Sequence, residues 1–97
     1  MKQDSNSTHA NSQESAMEFP CRFPIKAMGL ATEGLHLHVF DIVKRHAPDT
    51  DFDAITRRAS KNGKYISITV TIEATSREQL DAIYQELTAS EQIMMAL

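Results

Sequence analysis

The residues able to do chemistry in this 97-residue chain are few and scattered. Gly29, followed by a helix start at Thr32, is an arrangement that can hold a carboxylate or similar anion on free helix N-terminal amides. The plainer reading is a strand-to-helix turn that selects glycine with no ligand. His36 and His38 suggest a metal, but residues two apart on a helix do not share a face. Adding Asp41 to His38 still makes only two ligands, so a solvated helix surface is the better reading and no metal is expected. His46 sits where a helix end would place its charge against the dipole. Cys21 lies beside Arg22, which favours thiolate, yet a lone cysteine without a nearby histidine reads as packing. Arg57, Arg58, Lys61 and Lys64 gather around one turn and can meet phosphates, or simply keep a hairpin soluble. Met94 and Met95, with Met28, offer an adaptable contact surface. Strand alternation would send one of Met94 and Met95 into the core. No spacing pairs a serine or threonine with a histidine, and there is no phosphate-binding glycine loop. No catalytic residue is therefore assigned, and an enzyme is not expected.

Those side chains need a frame, and the hydrophobic pattern supplies one. Met1 to Ala16 is dominated by Ser, Asn, Gln and Thr and has no large apolar residue beyond Met1. Such a segment buries too little to offset the entropy of ordering, and the expectation is a disordered tail before one domain over 17–97. Arg22 to Met28 alternates as a first strand ended by Gly29, with Pro24 at its start or on an edge. Ala31 to His46 has the period of a helix, N-capped by Thr32, with Leu35, Val39, Ile42 and Val43 inward and Pro48 beyond its end. Phe52 to Ala59 reads as strand two, and Asn62-Gly63 as a two-residue hairpin turn. That turn would set Arg57 opposite Ile68 on the apolar face; either the turn is longer or the Arg57 stem packs while its head reaches water. Tyr65 to Glu73 alternates with Ile66, Ile68, Val70 and Ile72 on one face. Thr75 and Glu78 form a capping box for a second helix whose inward face is Leu80, Ile83, Tyr84 and Leu87. Ile93 to Leu97 is a short last strand.

The order is β-α-β-β-α-β. Two right-handed crossovers make it an α+β ferredoxin-like sandwich, a four-stranded antiparallel sheet with two helices on one face.

Composition narrows the function classes. The chain carries ten Lys/Arg and thirteen Asp/Glu, a net charge of −3, so there is no bulk attraction to nucleic acid or anionic membrane. The single cysteine allows no intrachain disulfide, no apolar run approaches a membrane span, and no signal peptide is visible at the start; a cytoplasmic location is expected. RNA-recognition modules on this fold use two or three aromatics on the open sheet face. This face offers Ser67, Thr69 and Thr71 with Tyr65 at its edge, so nucleic acid is not expected as a partner.

EFPCRFPIKAMG (Glu18 to Gly29), VKRHAP (Val43 to Pro48), SKNGKYISITVTIEATSREQLDAIYQEL (Ser60 to Leu87) and the terminal MMAL together resemble the small bacterial YbeD-like proteins of unknown function. The E-F-P, K-x-M-G, R-H-A-P and S-K-x-G-x-Y patterns carry the resemblance, over Met17 to Leu97. It implies a ferredoxin-like domain similar to the ACT regulatory domains of amino-acid enzymes, with no catalytic residues and no cofactor. It further implies side-by-side association as a homodimer, and a small metabolite or a regulated enzyme as partner. Members often lie beside lipoate-synthesis genes, so the resemblance also points toward that metabolism. The ligand loop of ACT domains corresponds here to Gly29, Leu30, Ala31 and Thr32. The readings that follow are a non-enzymatic regulatory module, an interaction adaptor without a ligand, or a weak RNA binder through residues 57–64.

Overall fold

A computed structural model describes residues 17–97; the expected tail, Met1 to Ala16, lies outside the described residues. The elements are β1 (Cys21–Leu30), α1 (Leu35–His46), a 3-10 turn (Phe52–Ala54), β2 (Ile55–Ala59), β3 (Tyr65–Ala74), α2 (Arg77–Ala89) and β4 (Met95–Ala96). The sheet is antiparallel in the order β2-β3-β1-β4, which makes the fold ferredoxin-like.

The core follows from the two periodicities. Ile25 and Ala27 of β1 and Ile68, Val70, Ile72 and Ala74 of β3 point to one side. Leu35, Val39, Ile42 and Val43 of α1 and Leu80, Ile83 and Leu87 of α2 cover them. Tyr84 is half-buried, meets Phe23 edge-on at 6.5 Å and donates its hydroxyl to the Leu97 carbonyl. Burial pushes the Tyr84 phenol pKa up.

β1 is longer than its alternation suggests, running through Gly29 to Leu30 in unbroken register with β3. Gly29 therefore does not end the strand. A Cβ there would come within 2.4 Å of the Gln92 carbonyl oxygen and 3.1 Å of Leu35. Glycine lets the segment before β4 pass directly against the β1 backbone. Pro24 sits inside β1 without breaking it. The amide of Lys26 faces β4 and pairs with Leu97, so by alternation the Pro24 nitrogen faces the same side, beyond the last residue of β4's ladder.

α1 starts four residues later than its periodicity suggests. Its N-cap is Gly34, at φ 93°, with no side-chain cap, and Thr32 instead closes a tight turn in which its amide reaches the Leu30 carbonyl at 2.7 Å. The left-handed backbone at Gly34 turns the chain from sheet to helix, a conformation glycine adopts at little cost. α2 is capped one residue later than the T-x-x-E pattern implies. The Ser76 hydroxyl accepts from the Gln79 amide at 3.0 Å, and the Gln79 side chain accepts from the Thr75 amide at 2.8 Å. The same Gln79 side chain donates to the His46 carbonyl at 2.9 Å, tying the start of α2 to the end of α1.

The β2–β3 connection is longer than two residues, with a β-turn from Ser60 to Gly63 closed at 2.9 Å, but its register equals that of the two-residue turn. Arg57 thus faces Ile68 across the ladder. It stays exposed and directs its guanidinium toward His36 Nδ1 at 3.4 Å. The first residues expected in strand two form the 3-10 turn instead. There Phe52 meets Phe40 edge-on at 5.4 Å and stays half-exposed.

Candidate functional site

The helices leave one face of the sheet open. Alternation puts Lys26, Met28 and Leu30 of β1, Tyr65, Ser67, Thr69 and Thr71 of β3, and Thr56 and Arg58 of β2 on it. β3's central row is small and polar, as expected. The β1–β4 side is not.

β4 departs from simple alternation. Met95 pairs with Met28, yet it is the Met94 amide that donates to the Met28 carbonyl, at 2.8 Å. Two residues thus oppose one, the arrangement of a β-bulge. A bulge breaks the alternation, which is why neither Met94 nor Met95 enters the core: they are 59% and 49% exposed, and Ile93 is buried instead. With Leu30 at 50% and Leu97 at 70%, four of the large exposed apolar side chains lie along this one side of the sheet. A face that antiparallel sheets usually leave polar is here an apolar stripe.

Two hollows share this face. One, of about 450 Å³, is lined by Met28, Arg58, Ala59, Ser60, Lys61, Tyr65 and Ser67. The other, of about 70 Å³, is lined by Lys26, Ala27, Met28, Ser67, Met95 and Leu97. Met28 and Ser67 belong to both, so the hollows adjoin. Their charged side chains are Arg58, Lys61 and Lys26, with no Asp or Glu in either lining. The Lys64 ammonium rests 5.5 Å from the centre of the neighbouring Tyr65 ring. The chemistry available is apolar contact from thioethers, hydroxyls for hydrogen bonding and cationic side chains at the rim.

The structure divides the residues singled out in the sequence. Arg58 and Lys61 join Met28 at the larger hollow and Lys64 stands beside it, while Arg57 points to the helical side and leaves the group. Of the loop Gly29, Leu30, Ala31 and Thr32, Gly29 is buried against Gln92, and the Ala31 amide is bonded to the Lys64 carbonyl at 2.9 Å. The Thr32 amide is also taken, so the two loop amides beyond β1 face carbonyls rather than an open anion site. Leu30 and Thr32 line a separate surface hollow of about 310 Å³ with Glu91, Gln92 and Met94.

His36 packs edge-on to Phe52, and among the described residues no cluster of three metal-ligating side chains exists. His38 is part-buried rather than solvated, with Nε2 2.8 Å from the Ser90 hydroxyl, a pairing across 52 residues that no local spacing could signal. Ser90 also accepts the Gln92 amide, so the contact clamps the turn after α2; neither His38 nor Ser90 lines the hollows above. His46 Nε2 donates to Glu86 at 2.7 Å, and Arg45 donates to the other Glu86 oxygen. The His46 hydrogen bond first, then the charges of Arg45 and His46 holds the Glu86 carboxyl below its ordinary range. Cys21 is half-buried against the core edge.

Comparisons with known proteins cover all of the described residues. Residues 14–97 match the family described as Protein of unknown function (DUF493). The chain belongs to that family. It is 48% identical over 85 residues to UPF0250 protein NE1487 of Nitrosomonas europaea, covering 88% of this chain and 98% of the relative. It is 44% identical to a UPF0250 protein of Ectopseudomonas mendocina, covering 93% and 99%. The solution structure of protein HP0495 from H. pylori superposes with a TM-score of 0.66 at 14% identity, covering 96% of this chain and 98% of that one; it shares the fold. Members of this DUF493 family are small bacterial proteins with no assigned function.

Proposed function

We propose that this DUF493 protein is a non-enzymatic regulatory module that binds a small metabolite or a regulated partner protein on its open sheet face. One observation carries the reading: the adjoining hollows around Met28 combine apolar thioethers with Arg58, Lys61 and Lys26 and are lined by no Asp or Glu. Such a surface attracts a ligand that is part apolar and part anionic. The groups gathered there bind and orient; none is a nucleophile held by a base, which supports a binding role over a catalytic one. The likeness to ACT domains supports a regulatory role by analogy of fold, and the neighbourhood of lipoate-synthesis genes suggests where to look for the ligand. Side-by-side dimerisation belongs to this reading. β2 is a sheet edge, and the amides of Arg57 and Ala59 point away from β3, while that of Ile55 is taken by the Phe52 carbonyl.

The test is a melting-temperature screen of amino acids and lipoate precursors against the full chain and against the variant Met28→Ser/Arg58→Glu. A ligand that raises the melting temperature of the parent by several degrees and leaves the variant unmoved is the expected result. A ligand that shifts both equally places its site elsewhere. A flat screen removes these metabolites and leaves the partner-protein arm.

A further inference from the structure

The stripe on the open face has a shape as well as a chemistry. It runs along β1 from Leu30 through Met28 to Lys26, flanked by Met95 and Leu97 of the β4 segment. Five residues of strand span about 14 Å, the length of roughly nine residues of α-helix. Around Met28 its charged side chains are of one sign, with Lys26 on one side and Arg58 and Lys61 on the other. Acidic side chains lie toward the ends: Glu73 stands at the far end of β3 opposite Arg22, and Glu91 borders the hollow at Leu30 and Met94.

We infer that this stripe is a docking groove for an amphipathic helix of a partner protein, one whose apolar residues are flanked by Asp and Glu. The inference rests on the open face being the binding surface and names its occupant. Three features select it. Unbranched thioethers at Met28 and Met95 adapt to the ridges of a helix better than branched side chains would. The bulge at Met94–Met95 lies in the pairing of β4 with β1 and bends a strand of only two residues, which makes its outer edge a poor template for an extended segment and favours contact by side chains on the face. A second copy meeting this one face to face would oppose Lys26, Arg58 and Lys61 with their own like charges, whereas an acidic helix neutralises them.

The test uses the full chain, isotopically labelled, and two synthetic 14-residue helical peptides with one leucine stripe, one flanked by Glu and the other by Lys. The Glu peptide is expected to move the Met28 and Met95 methyl resonances and the Lys26 and Ser67 amides. It should bind at least about tenfold more tightly than the Lys peptide at low salt, with the difference shrinking as salt rises. Met95→Ser, at an exposed position that does not threaten folding, weakens binding of the Glu peptide several-fold, and Lys26→Glu/Arg58→Glu reverses the preference between peptides. Equal binding of the two peptides, resonance changes confined to the helical layer, or none at millimolar peptide overturns the inference. A metabolite that shifts melting through Met28 while neither peptide binds overturns the helix and leaves the binding reading standing. Self-association through this face, seen as concentration-dependent shifts of the same methyls without peptide, overturns it in favour of a second copy.

Discussion

Gly29 shows how one residue decides a path through the fold. Its missing side chain is the space through which the Gln92 carbonyl passes, and the neighbour that a Cβ would strike is backbone, not the yielding end of a side chain. Gly29→Ala should therefore cost about 2 kcal/mol, the usual size of a forced overpacking, read as a lowered urea midpoint with unchanged slope. Glu86 offers a second test at this scale. Its folded pKa lies below the ordinary 4.5 because His46 and Arg45 hold the carboxylate. A depressed carboxyl contributes stability that is fully present above its unfolded pKa and is lost as the pH falls through its folded pKa. Urea midpoints measured from pH 6 down to pH 3 should fall less steeply in Glu86→Gln than in the parent.

Among the elements, the helix termini hold the information that patterns misassign. Gln79 accepts the Thr75 amide, receives Ser76's cap through its own amide and donates to the last turn of α1. Gln79→Ala should cost about 1–2 kcal/mol, because it removes an acceptor at one helix and a donor at the other. Thr75→Ala, at the position the T-x-x-E pattern singles out, should stay within about 0.5 kcal/mol, since its hydroxyl is not the cap. Denaturant titration of the two variants separates the assignments. The bulge before β4 is the other decisive local feature. It places both Met94 and Met95 on the surface where an unbroken strand would have buried one of them.

As a whole, the molecule is a two-layer sandwich with an edge available at β2. Ala59 is exposed and its amide faces outward, so Ala59→Pro removes a donor from that edge while sparing the ladder to β3. If the protein pairs side by side through β2, sedimentation equilibrium at tens of micromolar gives a doubled mass for the parent and the single mass for Ala59→Pro. A doubled mass for both places the interface elsewhere. The charge layout operates at the same scale. The balance of ten basic and thirteen acidic residues hides two hollows around Met28 whose charged side chains are all cationic.

The sequence by itself determined the layers. Alternation at Ile66, Ile68, Val70 and Ile72 and the helical spacing of Leu35, Val39, Ile42 and Val43 dictate which faces meet, because burial of apolar surface is read from period alone. The motifs through the hairpin and α2 likewise carried the family. Tertiary structure decided what period cannot carry. The ends of α1 and α2 depend on which hydroxyl or amide reaches a terminus, and His38 meets Ser90 only through packing. Gly29 is explained by a carbonyl 63 residues away, and Arg57 parts from Arg58, Lys61 and Lys64 because adjacent strand residues face opposite sides. The candidate site itself was visible only in part. Met28, Arg58 and Lys61 drew attention as residue types, but their convergence needed two strand pairings and a bulge, which are relations between distant segments rather than properties of any one.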